Sequence, residues 1–325
     1  MVSLLKSKPV VLLSAVGTGV GAVLLFREYY VGGCRYDEDK KLDGKLVVIT
    51  GANTGLGRAA AKEFATKGAS VIMACRDLTK CRRVRAEIMT QTRNKRVVCE
   101  ELDLASLESI RNFAARINES VKQIDILVNN AGVMRCPKLL TKDGFEMQLG
   151  VNHLGHFCLT SLLLDKVKAA APSRVINVAS TAHQRGKINY TDLNSDKEYD
   201  PATAYNQSKL ANVLFTKELA EKLKGTGVSV FAVHPGIVNT DITRYMGIAS
   251  SWTATLFAKP LLWLFAKTPQ QGVQGIMYCA LSDGLKEHSG KYFCDCKVTA
   301  PNPIAEDRIA SSWLWAVSEK WTGVS

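Results

Sequence analysis

The sequence predicts an α/β fold: a seven-stranded, doubly wound parallel sheet with helices on both faces, preceded by an N-terminal membrane-anchor helix. Three observations carry this. From Leu42 onward, short β-rich apolar runs alternate with longer helix-patterned segments, the signature of a parallel sheet covered on both sides. The first run, Leu46-Val47-Val48-Ile49-Thr50, enters a glycine turn and then a helix. Ahead of both, residues 10–26 contain no charged side chain. With 325 residues, 46% of them hydrophobic, and no low-complexity tract, the chain can bury a large core in one α/β domain, residues 42–300. Residues 1–41 read as anchor and linker, and residues 301–325 as a helical extension.

The uncharged run sits at the short end of the roughly 17–25 residues that a bilayer span requires. Lys6 and Lys8 precede it, and Arg27, Glu28, Tyr29 and Tyr30 follow as interfacial anchors. Gly17 and Gly21 form a small-xxx-small pair. No small-residue cleavage site follows, which favours a retained anchor over a cleaved signal, while the matched flanking charges leave orientation open. The strands are expected at 45–50, 70–75, 96–102, 124–129, 174–179, 228–233 and 290–294. Helices are expected at 56–67, 78–89, 106–121, 145–168, 202–224 and 269–281. Two long connections, 183–201 and 236–268, have the length of functional lids.

Lys and Arg number 42 against 30 Asp and Glu, a net +12, but the charges are dispersed. The densest group, Lys80, Arg82, Arg83 and Arg85 with Arg93, Lys95 and Arg96, reads as a solvated helix face, so nucleic-acid binding is not expected. The nine cysteines show no paired C-x-x-C spacing and read as thiols in a reducing compartment or in the core. Cys294-Asp295-Cys296 with His288 has the wrong spacing for structural zinc, and no metal is expected.

The glycine turn, Thr50-Gly51-Ala52-Asn53-Thr54-Gly55-Leu56-Gly57, lets a backbone approach a pyrophosphate held at the start of the next helix. An acid usually ends the second strand of such a Rossmann-like fold to bind the ribose hydroxyls of NAD, but here Ala74-Cys75-Arg76-Asp77 presents a thiol and then a cation. Arg76, with Arg58 as a second cation, therefore suits a 2′-phosphate and NADP(H), unless Arg76 simply pairs with Asp77. Asp103, followed by Leu104, is placed either at an adenine or as a helix cap. Asn130, Ala131 and Gly132 close the fourth strand where a ribose would lie against backbone. Pro235, Gly236, Val238 and Thr240 follow the sixth strand at the nicotinamide end.

Tyr205 and Lys209 lie four apart and share a helix face, so the ammonium can favour the ionised phenol and let Tyr205 exchange a proton with an alcohol or carbonyl. Together, TGxxxGxG, NNAG, YxxxK and PG in this order over roughly residues 44–300 resemble the short-chain dehydrogenase/reductases. Cys75-Arg76-Asp77, Asn130-Ala131-Gly132-Val133-Met134 and Val151-Asn152-His153-Leu154-Gly155-His156-Phe157 are similar, within that family, to the retinol dehydrogenases numbered 11 to 14.

The resemblance implies Tyr205 as acid/base and Lys209 on the ribose hydroxyls. It implies Ser180 as a donor to the substrate oxygen and Asn152 as the holder of a water that links Lys209 to solvent. For these roles residues 183–201 must loop out and bring Ser180 to Tyr205. His153 and His156 read as packing or hydrogen-bonding histidines.

Residues 252–266, with Trp252, Leu256, Phe257, Leu261, Trp263 and Phe265, read either as an apolar lid or as a core helix or subunit contact. The expected activity is reversible reduction of a lipophilic aldehyde, retinoid-like by resemblance, at a mitochondrial inner or reticular membrane, with membrane lipid and a homodimer as expected partners. A steroid or lipid-aldehyde carbonyl reductase and a non-catalytic NADPH-binding scaffold are the competing readings. Ile309, Trp313, Val317 and Trp321 recur every fourth residue and form a stripe for docking or for a membrane.

Overall fold

The computed structural model of the protein describes residue 18, residues 21–245 and residues 263–324. Eight strands form one sheet: β1 Leu46–Thr50, β2 Ser70–Cys75, β3 Val97–Glu101, β4 Ile126–Asn129, β5 Ser173–Val178, β6 Val228–His234, β7 Tyr292–Cys294 and β8 Lys297–Val298. Their order is β3-β2-β1-β4-β5-β6-β7-β8, parallel through β7. The expected count of seven is corrected by β8, which runs antiparallel to β7 with Phe293 opposite Val298. It left no apolar signal, because its two residues are exposed. The hairpin turns through Asp295 and Cys296, both at positive φ, the backbone that tight two-residue hairpins require.

Helices α1 Gly55–Thr66, α2 Leu78–Thr92, α3 Leu107–Ser120, α4 Gly155–Ala169, α5 Pro201–Lys222, α6 Gln274–Leu281 and α7 Arg308–Thr322 surround the sheet. Alternate strand residues feed two cores: Val47, Ile49, Val71 and Met73 join the layer with α1, α2 and α6, while Val48, Ile72 and Leu127 join the layer with α3, α4 and α5.

Two expected helices are interrupted. The 145–168 segment begins with Met147–Leu149, capped by the Glu146 carboxylate, and passes through a π turn, Gly150–Leu154, before α4. One inserted residue leaves the apolar periodicity almost unchanged, so the sequence pattern hides it. The 269–281 segment breaks at Val273 into Pro269–Gly272 and α6.

The anchor run lies mostly outside the described residues; residues 21–26 are helical and continue into a π turn, Arg27–Val31. No helix among the described residues is long and apolar enough to cross a membrane. Of the lid, residues 246–262, including Trp252, Leu256, Phe257 and Leu261, lie outside the description. The cysteine reading is also corrected, since Cys34 pairs with Cys296 and Cys81 with Cys99 as disulfides. Separations of 262 and 18 residues gave no spacing signal.

Helix α7 docks. Its buried line is Ala310, Ser311, Leu314, Ser318 and Thr322, and the expected stripe flanks that line: Trp321 stacks on Phe145 at 5.5 Å and Trp313 meets Tyr190 edge-on at 4.7 Å, while Ile309 faces solvent. Just before α7, the buried Asn302 amide donates to the carbonyls of His183, Gln184 and Gly186, each at 3.1 Å, and so fixes the start of the 183–201 connection. Asn302→Ala leaves these carbonyls without that donor and is expected to destabilise the protein by about 1–3 kcal/mol, read as a lower denaturation midpoint.

Candidate active site

Strand order reverses between β1 and β4, and a cleft of about 1010 Å³ opens at their carboxyl ends. The glycine turn, the end of β2, the loop after β4, the end of β5, the start of α5 and the 235–242 loop all line it. The loops that follow parallel strands must converge there, which is why side chains distant in sequence share one cavity.

At the dinucleotide end the backbone itself is the wall. A Cβ on Gly57 would run into the Gly51 carbonyl and the Asn130 amide, so only glycine permits the turn to close. Thr50 Oγ accepts from the backbone N–H of Asn130 and Ala131, both at 2.9 Å, and the Asn130 amide donates to the Thr50 carbonyl at 2.8 Å. These bonds tie the turn to the Asn130-Ala131-Gly132 loop. Asn53, Thr54, Gly55, Leu56, Asp103 and Leu104 line the cleft as expected, with Asp103 holding Ala105 N–H in a local turn while Ser106 caps α3. Burial pushes the Cys75 thiol up to about 11, so the group that replaces the usual acid stays neutral.

Of the two expected phosphate cations, Arg76 lines the cleft, is exposed and makes no ion pair among the described residues. Asp77 caps α2 through Lys80 N–H. Arg58 is a correction: its guanidinium turns out to Glu87 at 2.5 Å and does not line the cleft. Arg58 sits on the exposed outward face of α1, opposite the Glu87 carboxylate of α2. Lys80, which the sequence grouped with a solvated face, lines the cleft in its place and reaches Asp241, whose carboxylate also accepts from Thr54 Oγ at 2.8 Å. Val238 and Thr240 lie on the same loop, which a parallel bridge from Val238 to Lys267 secures.

At the other end Tyr205, Ser180 and Lys209 line the cleft together. The 183–201 connection does loop out, and Ser180 and Tyr205 come to line the same cleft. Burial raises the pKa of Tyr205, while Ser180 and the Arg135 guanidinium oppose that rise. Lys209 Nζ lies 5.9 Å from the Tyr205 ring centre and donates to the Val178 carbonyl at 3.0 Å. Burial lowers it to about 8, so it still holds its proton at neutral pH.

Asn152 is fully buried, and its side chain accepts from Val133 N–H at 2.8 Å and donates to the Val133 carbonyl and the Ser208 hydroxyl. Ser208 in turn donates to the Tyr205 carbonyl, so Asn152 fastens the loop after β4 to α5. His156 extends this frame. Its Nδ1 faces the Asn152 carbonyl, an acceptor, and must carry the proton; its Nε2 then accepts from Thr50 Oγ at 2.8 Å. A packing histidine in the sequence thus links the glycine turn to the Asn152 backbone. Gly132 faces Asn152 Oδ1 and Lys209 Nζ, where a Cβ would stand 3.2 and 3.8 Å from them and fill the floor of the cleft.

The sequence reading missed Lys80, Asp241, Arg135 and the linking role of His156, because exposed charges and interior histidines carry no motif of their own. No three His, Cys, Asp or Glu side chains among the described residues are grouped to hold a metal.

Comparison with known proteins agrees with this geometry. A sequence model described as short chain dehydrogenase matches residues 45–249. The chain is 50% identical to retinol dehydrogenase 13 of Homo sapiens, covering 96% of this chain and 94% of that protein. It is 48% identical to retinol dehydrogenase 12 of Homo sapiens, covering 92% of each. Among solved structures, the Pseudomonas aeruginosa RhlG/NADP active-site complex aligns with a TM-score of 0.62 and 25% identity, over 78% of this chain and 95% of that one.

Proposed function

The chain belongs to the short chain dehydrogenase family and is an oxidoreductase that uses a nicotinamide cofactor; from that premise we propose that it is an NADP(H)-dependent enzyme interconverting lipophilic alcohols and aldehydes, retinol and retinal in particular, with Tyr205 as the acid/base. The observation that carries the reading is the arrangement of Tyr205, Ser180 and Lys209 in one cleft with the glycine turn and the unpaired Arg76.

Backbone N–H groups at the start of α1 would hold the pyrophosphate, Asp103 and Leu104 the adenine, and Arg76 with Lys80 the 2′-phosphate. The loop Asn130–Gly132, Lys209 and the segment Pro235–Thr240 would hold the nicotinamide half. The bound cofactor supplies and accepts hydride. In the reducing direction Tyr205 gives its phenolic proton to the carbonyl oxygen as negative charge develops there, and the Ser180 hydroxyl donates a second hydrogen bond to that oxygen. The Lys209 ammonium, close to the phenol and protonated at neutral pH, stabilises the charge left on it. Asn152 holds the walls around this pair.

A lipophilic substrate and a membrane surface fit the exposed apolar residues Leu24, Leu25, Phe26, Tyr29 and Tyr30, which adjoin Trp263 and Phe265 through the contacts of Phe26 with Phe265 and Arg27 with Trp263. The names of the similar retinol dehydrogenases support the retinoid.

Turnover of retinal with NADPH and NADH in parallel tests substrate and coenzyme together. NADPH is expected to give the higher kcat/KM, and Arg76→Ala is expected to reduce that value about 10- to 100-fold with NADPH, as loss of a charge-assisted contact predicts, while leaving NADH nearly unchanged. Equal losses would refute the phosphate assignment. A 3-ketosteroid reduced clearly faster than retinal would remove the retinoid.

A further inference from the structure

We infer that Lys267 is a positioning residue for the nicotinamide end of the cleft: through its ion pair with Asp295 it ties the Gly236–Asn239 loop to the β7–β8 hairpin and so fixes where the nicotinamide ring is held. The inference rests on the proposed placement of the cofactor, with its nicotinamide half on Pro235–Thr240, and names the residue that sets that wall.

Gly236, Ile237, Val238 and Asn239 line the cleft, and Lys267 holds them from behind. Its main chain grips the loop on both sides of Val238. The Lys267 N–H donates to the Ile237 carbonyl at 2.7 Å, and the Lys267 carbonyl accepts from the Asn239 N–H at 3.0 Å. Its stem lies along Gly236, where an added Cβ would stand 2.8 Å from both Cδ and Cε of the lysine. The main-chain bonds need only a residue other than proline at 267; the side chain is a separate tie.

That side chain ends on the Asp295 carboxylate, in the turn of the β7–β8 hairpin. Lys267 is 8% exposed, so its charge is held largely away from water and depends on its partner. The segment after the Arg27–Val31 turn covers the pair. Gly33 lies against both Lys267 Nζ and Asp295 Oδ1 and leaves no room for a Cβ, and the disulfide from Cys34 to Cys296 fastens this cover to the residue after Asp295. Three more bonds hold the same strap: Arg27 to the Ala266 carbonyl at 3.3 Å, the Gln271 amide to Glu28 at 3.3 Å, and the Tyr36 N–H to Gln274 Oε1 at 3.0 Å. An apolar side chain could fill the space behind Gly236 without the cost of burying a charge. A lysine there gives the loop a directed tie that an apolar contact lacks.

Two variants remove the tie without emptying the site. Lys267→Met keeps an unbranched stem along Gly236 and removes the ammonium. Asp295→Asn removes the partner's charge at a positive φ that asparagine tolerates, and because Asp295 is half exposed it keeps the test open should Lys267→Met fail to fold. Dissociation constants are measured for NADPH and for adenosine 2′,5′-bisphosphate, which carries the adenine end without the nicotinamide. NADPH is expected to bind each variant about 10-fold more weakly, the scale of one charge-assisted contact, while adenosine 2′,5′-bisphosphate stays within about two-fold of the parent. The double variant is expected to match Lys267→Met, since both changes act through one pair. Unchanged NADPH binding in the single variants overturns the inference. So does an equal loss of both ligands, which marks general damage to the fold, or additive losses in the double variant. A parent that binds adenosine 2′,5′-bisphosphate no more tightly than adenosine 5′-monophosphate overturns the NADP(H) reading instead, and the comparison for Lys267 is then made between NADH and adenosine 5′-monophosphate.

Discussion

Tyr205→Phe is expected to lower kcat for aldehyde reduction by about 10²- to 10⁴-fold while binding of NADPH stays within a few-fold of the parent. The substitution deletes one oxygen from a side chain that is 7% exposed, and the ring that packs into the start of α5 remains. What is lost is the phenolic proton that the proposed mechanism passes to the substrate oxygen, while Ser180 and Lys209 stay in the cleft. The direction of the phenol's shift adds a second signature. Burial holds Tyr205 in its protonated form at neutral pH, the form that reduction needs. Reduction should therefore be flat across neutral pH and decline on the alkaline side, while oxidation of the alcohol climbs with pH over the same interval. Steady-state rates in both directions, together with a binding titration of NADPH, check this. Undiminished turnover alongside intact cofactor binding would leave Tyr205 as a structural residue and move the proton elsewhere.

What the chain made legible divides along physical lines. Strands β1, β2, β4, β5 and β6 announced themselves because both of their faces are buried, so Leu46-Val47-Val48-Ile49 and Val228–Val233 are nearly continuous apolar runs. The two-residue β8 buries nothing and was invisible. Residues whose role is local were placed correctly in the cleft: the glycines of the turn, Tyr205 with Lys209 one turn on, and Arg76 at the end of β2. Residues whose role depends on which element stands opposite were not. Arg58 follows the last glycine of the turn, yet Glu87 of α2 claims it, whereas Lys80 looked like surface and faces the cleft. Arg135 is the extreme case, since its left-handed backbone cannot be read before the loop is closed by Gln148 and Tyr199.

Acidification to pH 5 is expected to remove about 6 kcal/mol of stability, a loss comparable to the 5–15 kcal/mol that holds a typical domain together. His153, His156 and His234 are 1%, 2% and 7% exposed, and burial lowers them from an ordinary 6.5 to about 3, 4 and 4. The native protein therefore binds fewer protons than the unfolded chain below pH 6.5, so stability falls as pH drops through 6.5 and the loss is complete only near the lowered values. At pH 5 each histidine contributes about 2 kcal/mol of that loss, at roughly 1.4 kcal/mol per pH unit. His183, fully buried and also lowered by burial, adds to the loss in the same direction, while the other shifted groups lie outside this window or act against it. Lys209, lowered to about 8, weakens stability between 10.5 and 8 and adds nothing further below that. Asp192, Asp200, Asp241 and Asp283 are lowered from an already acidic 3.8, so their contributions survive at pH 5. Glu146, raised by burial, gains on protonation and offsets a part. Urea unfolding at pH 7.5, 6.5, 5.5 and 5 reads the slope directly. His153→Phe provides the control: the ring keeps its contacts with Phe157 and Phe215, and Ser318 keeps its bond to the Leu314 carbonyl. That variant should flatten the slope by roughly a quarter to a third, since His153 is one of four histidines lowered by burial. If stability is level from pH 6.5 to 5, these rings are charged within the fold, and the neutral link from Thr50 through His156 to Asn152 does not exist.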